Sequence, residues 1–449
     1  MKMVVLLISI LCINIAYSQQ EYSNWNVGNR VWLRFPGPTY LNGSNLNTTE
    51  GCASISDPIT GNLLFYTNGV TVWNRFHTIM PNGTGLFGGL SSTQSAIILR
   101  QPGSVNLYYI FTVNQQVLGE EFSYSIVNIN SDAGSGDVIV KNVLIAAPTS
   151  EKLTATRHCN GVDWWIISHD LGTSTFRSVL LTSAGLTSFT TSNTTTIVTL
   201  GSQGSIGCMK VNQQGTRLAC AFYSLNKLSL FNFNNTTGVV SNEISPACAV
   251  GPYGLEFSPN GNFLYLAYNN STSLHQYNLC NNNNRISVGT PGPFIGSLQL
   301  QNDGRIYISG SSVGGSKLGI IYDPNLLGIA CNYVVNTGDT PFAGQNYIFG
   351  LSQCFYNYSV FQNSYQPTYN INCLTVIFNL AVLCNSQPIV NITWNFGDGN
   401  TSNLINPTHT YTVANNYFGS VTITLNCNII TIPITVSTSV SGVNNINTN

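Results

Sequence analysis

Six stretches of this chain repeat one layout, and that repeat limits the available folds more than any other feature. Each copy opens with a short strand of small residues, turns at a polar Gly or Asn, and returns as an aromatic-rich strand. The copies run from residues 51–55 to 63–66, from 95–98 to 107–111 and from 155–158 to 164–167. They continue from 207–211 to 218–222, from 254–257 to 263–266 and from 296–300 to 305–308. Starts recur every ~40 to 60 residues, the length of one β-propeller blade. In the fifth copy Asn260-Gly261 is expected to close the hairpin, with both central residues at positive φ. The small-residue strands are expected to line a central channel where blades crowd, and the aromatic strands to pack between neighbours. A seventh inner strand is expected at residues 349–355, completed by the strand at 30–35 near the N-terminus. That closure would remove exposed sheet edges. Seven blades are therefore expected, with six or eight left open.

Composition supports an exported all-β protein. Residues 1–18 show a Lys2 start, an apolar run from Val4 to Ile15 and small residues at Ala16 and Ser18, the layout of a secretory signal peptide. The run is too short to span a bilayer. Cys12 would suit a lipoprotein only behind a small residue, and Leu11 stands there. No later stretch reaches transmembrane length. Charged residues make up 7% and the net charge is -1, so no basic face is available to follow nucleic acid. Of 12 cysteines, 11 remain once the signal is removed, and an oxidising compartment favours disulfides. Cys208 with Cys220 and Cys384 with Cys427 are the expected pairs, leaving Cys373 over in the last unit. With no Cys-x-x-Cys and no metalloprotease motif, no metal site is expected.

The pattern breaks at the Asn/Ser/Gln/Pro stretch 362–367, read as a linker between a propeller at 19–361 and a small sandwich at 368–436. Residues 437–449 are read as a disordered tail. The segment Trp394-Asn395-Phe396-Gly397-Asp398-Gly399, followed by Asn406-Pro407-Thr408-His409-Thr410-Tyr411, resembles the signature of PKD domains, immunoglobulin-like sandwiches of secreted proteins. Trp394 and Phe396 would alternate into the core, Gly397-Asp398-Gly399 would form a tight turn, Pro407 would start the return and Tyr411 would anchor a corner. Asp398 is read as a turn residue bonding its own backbone, with calcium ligation as the alternative.

The larger part also carries a resemblance. The strings at 46–57, 61–74, 158–165 and 326–333 resemble secreted propeller–PKD proteins of Bacteroidetes, many of them surface or gliding proteins exported by the type IX system. Family members often end in a C-terminal sorting domain, which has no counterpart after residue 436. The resemblance implies a surface location and no common activity.

Candidate chemistry is sparse, with 16 acidic residues and 5 His. Glu50, at the start of an inner strand, is placed to face the channel mouth. His158 and Asp163 flank a turn in the third copy, near His169 and Asp170, and could pair as a general base needs or brace adjacent strands. The segment 132–137 has the flavour of a calcium loop without the spacing of an EF-hand. These features point to a secreted or cell-surface protein that binds glycans or other surface proteins without catalysis. The alternatives are a propeller glycoside hydrolase or polysaccharide lyase using Glu50, His158 and Asp163, and a structural scaffold. Hydrolysis would need two carboxylates roughly 5–9.5 Å apart.

Overall fold

The computed structural model describes residues 20–115, 121–201, 203–269, 273–290, 295–310, 318–335, 341–356, 365–382, 388–425 and 429–439. The signal segment, the first part of the expected linker and most of the expected tail lie outside them.

Seven antiparallel sheets follow one another through the first 335 residues among those described, six of four strands and one of three. The first holds Asn24–Val27, Val31–Arg34 and Thr39–Leu41. The second runs from Ala53–Ser56 to Ile79–Thr84, the third from Ala96–Arg100 to Asp137–Ala146, and the fourth from Thr149–Arg157 to Gly185–Asn193. The fifth runs from Met209–Val211 to Val239–Ile244, the sixth from Pro252–Phe257 to Asn284–Gly289, and the seventh from Ile295–Leu300 to Tyr333–Val335. Each four-stranded sheet is a meander whose first strand is the small-residue strand of one sequence copy. This is a β-propeller.

Aromatic residues of the second and third strands fill the spaces between sheets. Phe65 meets Tyr108 edge-on across the second and third sheets, with centroids 5.6 Å apart, and Phe176 meets Phe231 at 4.9 Å across the fourth and fifth. Rings have large buried areas and favour such edge contacts. In the fifth copy only Gly261 adopts positive φ (71°), and its N–H bonds the Ser258 carbonyl at 2.8 Å. The hairpin is therefore a longer Ser-Pro-Asn-Gly loop rather than the two-residue turn expected.

The ring closes where the two ends of this domain meet. Cys52 bridges Ser352 in parallel, and Asn29 bridges Asn346. The Ser54 N–H donates to Ser352 Oγ (2.9 Å), the Phe349 N–H to the Thr49 carbonyl (3.0 Å), and the Ser297 N–H to the Phe349 carbonyl (2.6 Å). Trp25 Nε1 donates to Cys354 Sγ at 3.0 Å. Residues 349–355 thus sit between the seventh and second sheets, held by an isolated bridge at Ser352 rather than forming the inner strand expected. The strand beside them is Asn24–Val27, and Val31–Arg34 is the middle strand of that sheet.

The second unit is a sandwich. One sheet orders Tyr365–Asn372, Thr375–Val382 and Thr408–Thr410; the other orders Thr401–Ser402, Asn391–Asn395, Asn416–Thr424 and Ile429–Ser437. Its core includes Trp394, Phe396, Phe378 and Tyr411. The first strand starts at Tyr365, a buried core residue inside the stretch read as linker. Pro367 is tolerated there because this strand is a sheet edge.

At the closure the backbones touch. A Cβ on Gly350 would overlap the Glu50 carbonyl, and one on Gly296 would overlap the carbonyl of Phe349. Overpacking of this kind forces backbone shifts. Gly350→Ala is expected to destabilise the protein by roughly 2–4 kcal/mol, read as a lower denaturant midpoint.

Candidate functional site

The first strands run the same way around the axis, so residues at their starts gather at one end of the channel and residues at their ends gather at the other. Glu151 and His158 are seven residues apart along one strand, which separates them by roughly 20 Å at about 3.3 Å per residue.

Glu50 lies at the first end and is 8% exposed. Its Oε1 accepts from the Tyr253 hydroxyl at 2.5 Å and its Oε2 from Ser91 Oγ at 3.0 Å. The Tyr253 bond reaches from the second sheet to the sixth. Burial, with the nearby Glu151 carboxylate adding to it, pushes the Glu50 carboxyl up to about 7, against the opposing pull of the Tyr253 and Ser91 hydroxyls. Glu151, 3% exposed, accepts from Thr93 N (2.9 Å) and Thr93 Oγ1 (2.8 Å). Beside it the Lys152 ammonium is fully buried and donates to the carbonyls of Ser205 (3.1 Å), Ile206 (2.9 Å), Gly207 (2.9 Å) and Ala221 (2.7 Å). Burial lowers its pKa. Below this layer Gln94 plugs the channel. Its Oε1 accepts from Met209 N (2.8 Å) and Leu153 N (3.3 Å), and its Nε2 donates to Met209 O (3.0 Å) and Gln353 Oε1 (3.1 Å).

At the other end a slot of about 70 Å³ is lined by Arg157, His158, Trp164, Lys210, Gln214 and Glu256, among others. Lys210 Nζ pairs with Glu256 Oε2 at 3.3 Å and donates to Gln299 Oε1 at 2.5 Å. Both partners of the ion pair are buried, and Glu256 also accepts from the N–H groups of Leu300 (3.1 Å) and Phe257 (3.0 Å). A buried pair stands only when its remaining polar valences are filled in this way. The Arg157 guanidinium lies 3.5 Å over the Trp164 ring and donates through Nη1 to the Val162 carbonyl at 2.6 Å.

His158 and Asp163 do not pair through their side chains. His158 Nδ1 accepts from the Asn160 N–H (3.1 Å), so Nε2 is the protonated nitrogen that donates to the Thr236 carbonyl (3.2 Å). Asp163 Oδ2 accepts from Asn160 Nδ2 at 2.7 Å. Both side chains brace the hairpin between the first two strands of the fourth sheet. His169 is buried between Phe176 and Phe222, where burial and Lys152 push its pKa down to about 3. Asp170 pairs with Arg177 at 2.8 Å. The structure thus places Glu50 and His158 at opposite ends of the channel, and the third-copy cluster is spread along a strand. Lys152, Lys210 and Glu256 were not singled out from the sequence. Their signal was there: charged residues inside small-residue strands of a chain that is only 7% charged.

The cysteine expectation is corrected. Met209 opposes Cys220 in the ladder, so Cys208 opposes Ala221 and points to the other face of the fifth sheet. Cys208 packs into the core toward the sixth sheet and Cys220 into the core toward the fourth, and both are free thiols. Neighbours on opposite faces cannot meet the geometry of a disulfide. Cys159 and Cys280 are each disulfide-bonded. Cys384 and Cys427 lie outside the described residues, and Cys373 is a free thiol.

In the sandwich, Gly397 and Gly399 adopt positive φ (86° and 94°) on either side of Asp398. Asp398 accepts from Asn400 N (3.0 Å), Asn400 Nδ2 (3.1 Å) and His409 Nε2 (2.7 Å). Burial opposes the shift, but these donors hold its carboxyl below the usual range. The Tyr411 hydroxyl donates to the Phe396 carbonyl at 2.9 Å, and His409 stacks on Phe396 with centroids 4.2 Å apart. Pro407 offers its carbonyl to Phe378 N at 2.9 Å. Asp132 sits in a short helical turn, and Asp137 Oδ1 accepts from Asn82 Nδ2 at 2.9 Å. Among the described residues no group of three or more His, Cys, Asp or Glu side chains is placed to hold a metal, and no helix is long and apolar enough to cross a membrane.

A PKD domain family model matches residues 369–440. The last unit is a PKD domain. No curated protein matches the chain. Among solved structures, the PKD1 domain of the Vibrio cholerae metalloprotease PrtV is 26% identical, covering 17% of this chain and 94% of that one, with a TM-score of 0.16. A putative 6-phosphogluconolactonase from Bacteroides uniformis is 10% identical, covering 93% of this chain and 98% of that one, with a TM-score of 0.39. A streptogramin B lyase is 11% identical, covering 73% and 86%, with a TM-score of 0.38. The expectation of a protein without catalysis is corrected by these matches. They include proteins named as enzymes. At these identities the likeness is one of fold and assigns no activity here.

Glu50 generates a pH test. Its folded pKa is raised, so the unfolded chain releases this proton first and stability falls as pH rises from about 4.5 to about 7. Glu50→Gln is expected to be more stable than the parent at pH 8, by on the order of 2–3 kcal/mol. The gain should vanish at pH 4, as read by urea unfolding at both pH values.

Proposed function

We propose that this is an extracytoplasmic binding protein whose propeller presents a ligand site at the open end of its channel, with the PKD domain as spacer or second contact module. The observation that carries the reading is the slot beside Lys210 and Glu256. There a fixed ion pair, the amide of Gln214 and the rings of Trp164, Phe355 and Tyr356 surround a cavity of about 70 Å³. Such a mixture of few polar groups on aromatic walls is what ligand sites offer. The volume suits one polar group at the end of a larger ligand rather than a whole ring. A glycan end or an exposed group of a surface protein has that chemistry.

Export through residues 1–18 would place the protein where PKD domains usually occur. The strings shared with secreted propeller–PKD proteins of Bacteroidetes support a surface location. The division into a propeller and a sandwich, with the sandwich beginning at Tyr365 rather than after the linker expected at 362–367, is part of the same reading.

Gln213 is half-buried at the rim of the slot. Gln213→Trp is expected to fill the entrance and reduce retention on the cognate immobilised polysaccharide or cell-surface extract at least tenfold. Thermal unfolding should be unchanged. The mature chain from Gln19 is the protein to use, with release of soluble sugar ends recorded alongside retention. Retention that survives Gln213→Trp would remove the slot from the account.

A further inference from the structure

Cationic groups are scarce, with 15 Lys and Arg in 449 residues. Most of those described end on an acceptor. Arg100 reaches Glu21 at 3.4 Å, Arg177 reaches Asp170 at 2.8 Å, Lys227 reaches Glu243 at 3.0 Å, and Lys152 is held by carbonyls. Arg34 and Arg75 have neither an ion pair nor a hydrogen-bond acceptor among the described residues, and both are exposed. They line the same groove, of about 510 Å³, between the first and second sheets.

Two unspent guanidinium groups facing one cleft are costly unless solvent or a ligand answers them, and guanidinium is the side chain best matched to planar carboxylate and to sulfate oxygens. The walls add a second kind of contact. Phe76 is 61% exposed, and the Arg75 guanidinium lies 4.9 Å from its centroid. The Trp32 ring is fixed by Nε1 donating to Asn24 Oδ1 (3.0 Å) and by an edge contact with His77 at 4.7 Å. The one acid in the lining, Asp57, turns one carboxylate oxygen to its own loop. Its Oδ1 accepts from Ile59 N (3.0 Å), Thr60 N (2.7 Å) and Thr60 Oγ1 (3.0 Å).

We propose that this groove is a second binding site and that it takes an anionic glycan. The carboxylate or sulfate of a sugar bridges Arg34 and Arg75, and the apolar face of the ring lies on Phe76. The volume falls within the ordinary range for ligand sites, ~300–1,000 Å³. Nucleic acid is a poor fit because the chain has a net charge of -1 and no wider basic track. The proposal rests on the reading of an extracytoplasmic binding protein but not on the slot at the channel end.

The test is calorimetric titration of the mature chain with polygalacturonate, chondroitin sulfate and neutral dextran at 20 and 300 mM NaCl. Binding of at least one anionic polymer is expected, with none to dextran and a loss of tenfold or more at the higher salt, as solvent-exposed charge contacts are screened. Polygalacturonate alone would identify a uronate ligand, and chondroitin sulfate alone a sulfated one. The double variant Arg34→Ala, Arg75→Ala should bind at least tenfold more weakly, and Phe76→Ala severalfold. All three side chains are exposed, so these variants should keep the parent unfolding midpoint. Gln213→Trp should bind as the parent does, which separates failure of the slot from failure of the groove. No binding of either anionic polymer, equal binding of dextran, or full binding by the double variant would overturn the proposal.

Discussion

The inner edge of the propeller is a ring of backbone laid against backbone. At the closing seam the Gly296 and Gly350 positions leave no space for a Cβ, because the carbonyls of Phe349 and Glu50 already occupy it. Interiors packed at crystal-like density transmit any such intrusion to their neighbours. This close approach accounts for the small residues in the first strand of each repeat. It also moves bulk outward, where Phe65, Tyr108, Phe176 and Phe231 fill the widening gaps between sheets. Ring closure follows from the same contact, since residues 349–355 supply the inner segment that the first sheet lacks.

A narrow axis also dictates what the channel can hold. Groups that reach it are taken out of water and must find partners there. Gln94 meets this demand by bonding to the fourth and fifth sheets and to Gln353 of the closing segment. Lys152 meets it with four carbonyls, and Lys210 with Glu256 and Gln299. Glu50 meets it by holding its proton more tightly, between Tyr253 and Ser91. The plug divides the channel into two ends with different chemistry. One is a packed acidic and hydroxyl layer, and the other is an open slot with an ion pair and aromatic walls.

The fold was readable because its signals are local. Alternation, turn glycines and aromatic strands repeat within each copy, and the Trp394 to Tyr411 motif lies within eighteen residues of chain. The candidate site was not, because its members are distant in sequence. Glu50 meets Tyr253 across 203 residues, and the two ends of the channel draw on the two ends of every first strand. The Cys208–Cys220 expectation failed by one residue of register, which is enough in a pleated sheet to turn a side chain to the other face. Arg34 and Arg75 carry no motif at all; only the packing of the first sheet against the second brings them to one groove.

Closure of the ring by both ends of the domain is the claim on which the rest stands, and hydrogen exchange resolved to single amides tests it most directly. The amides of Ser54, Ser297 and Phe349 bond across the seam to Ser352, Phe349 and Thr49. They are expected to exchange as slowly as those of the interior strand Trp164–Asp170. Seam amides that exchange orders of magnitude faster, while the sheets stay protected, would show an open ring and contradict the account.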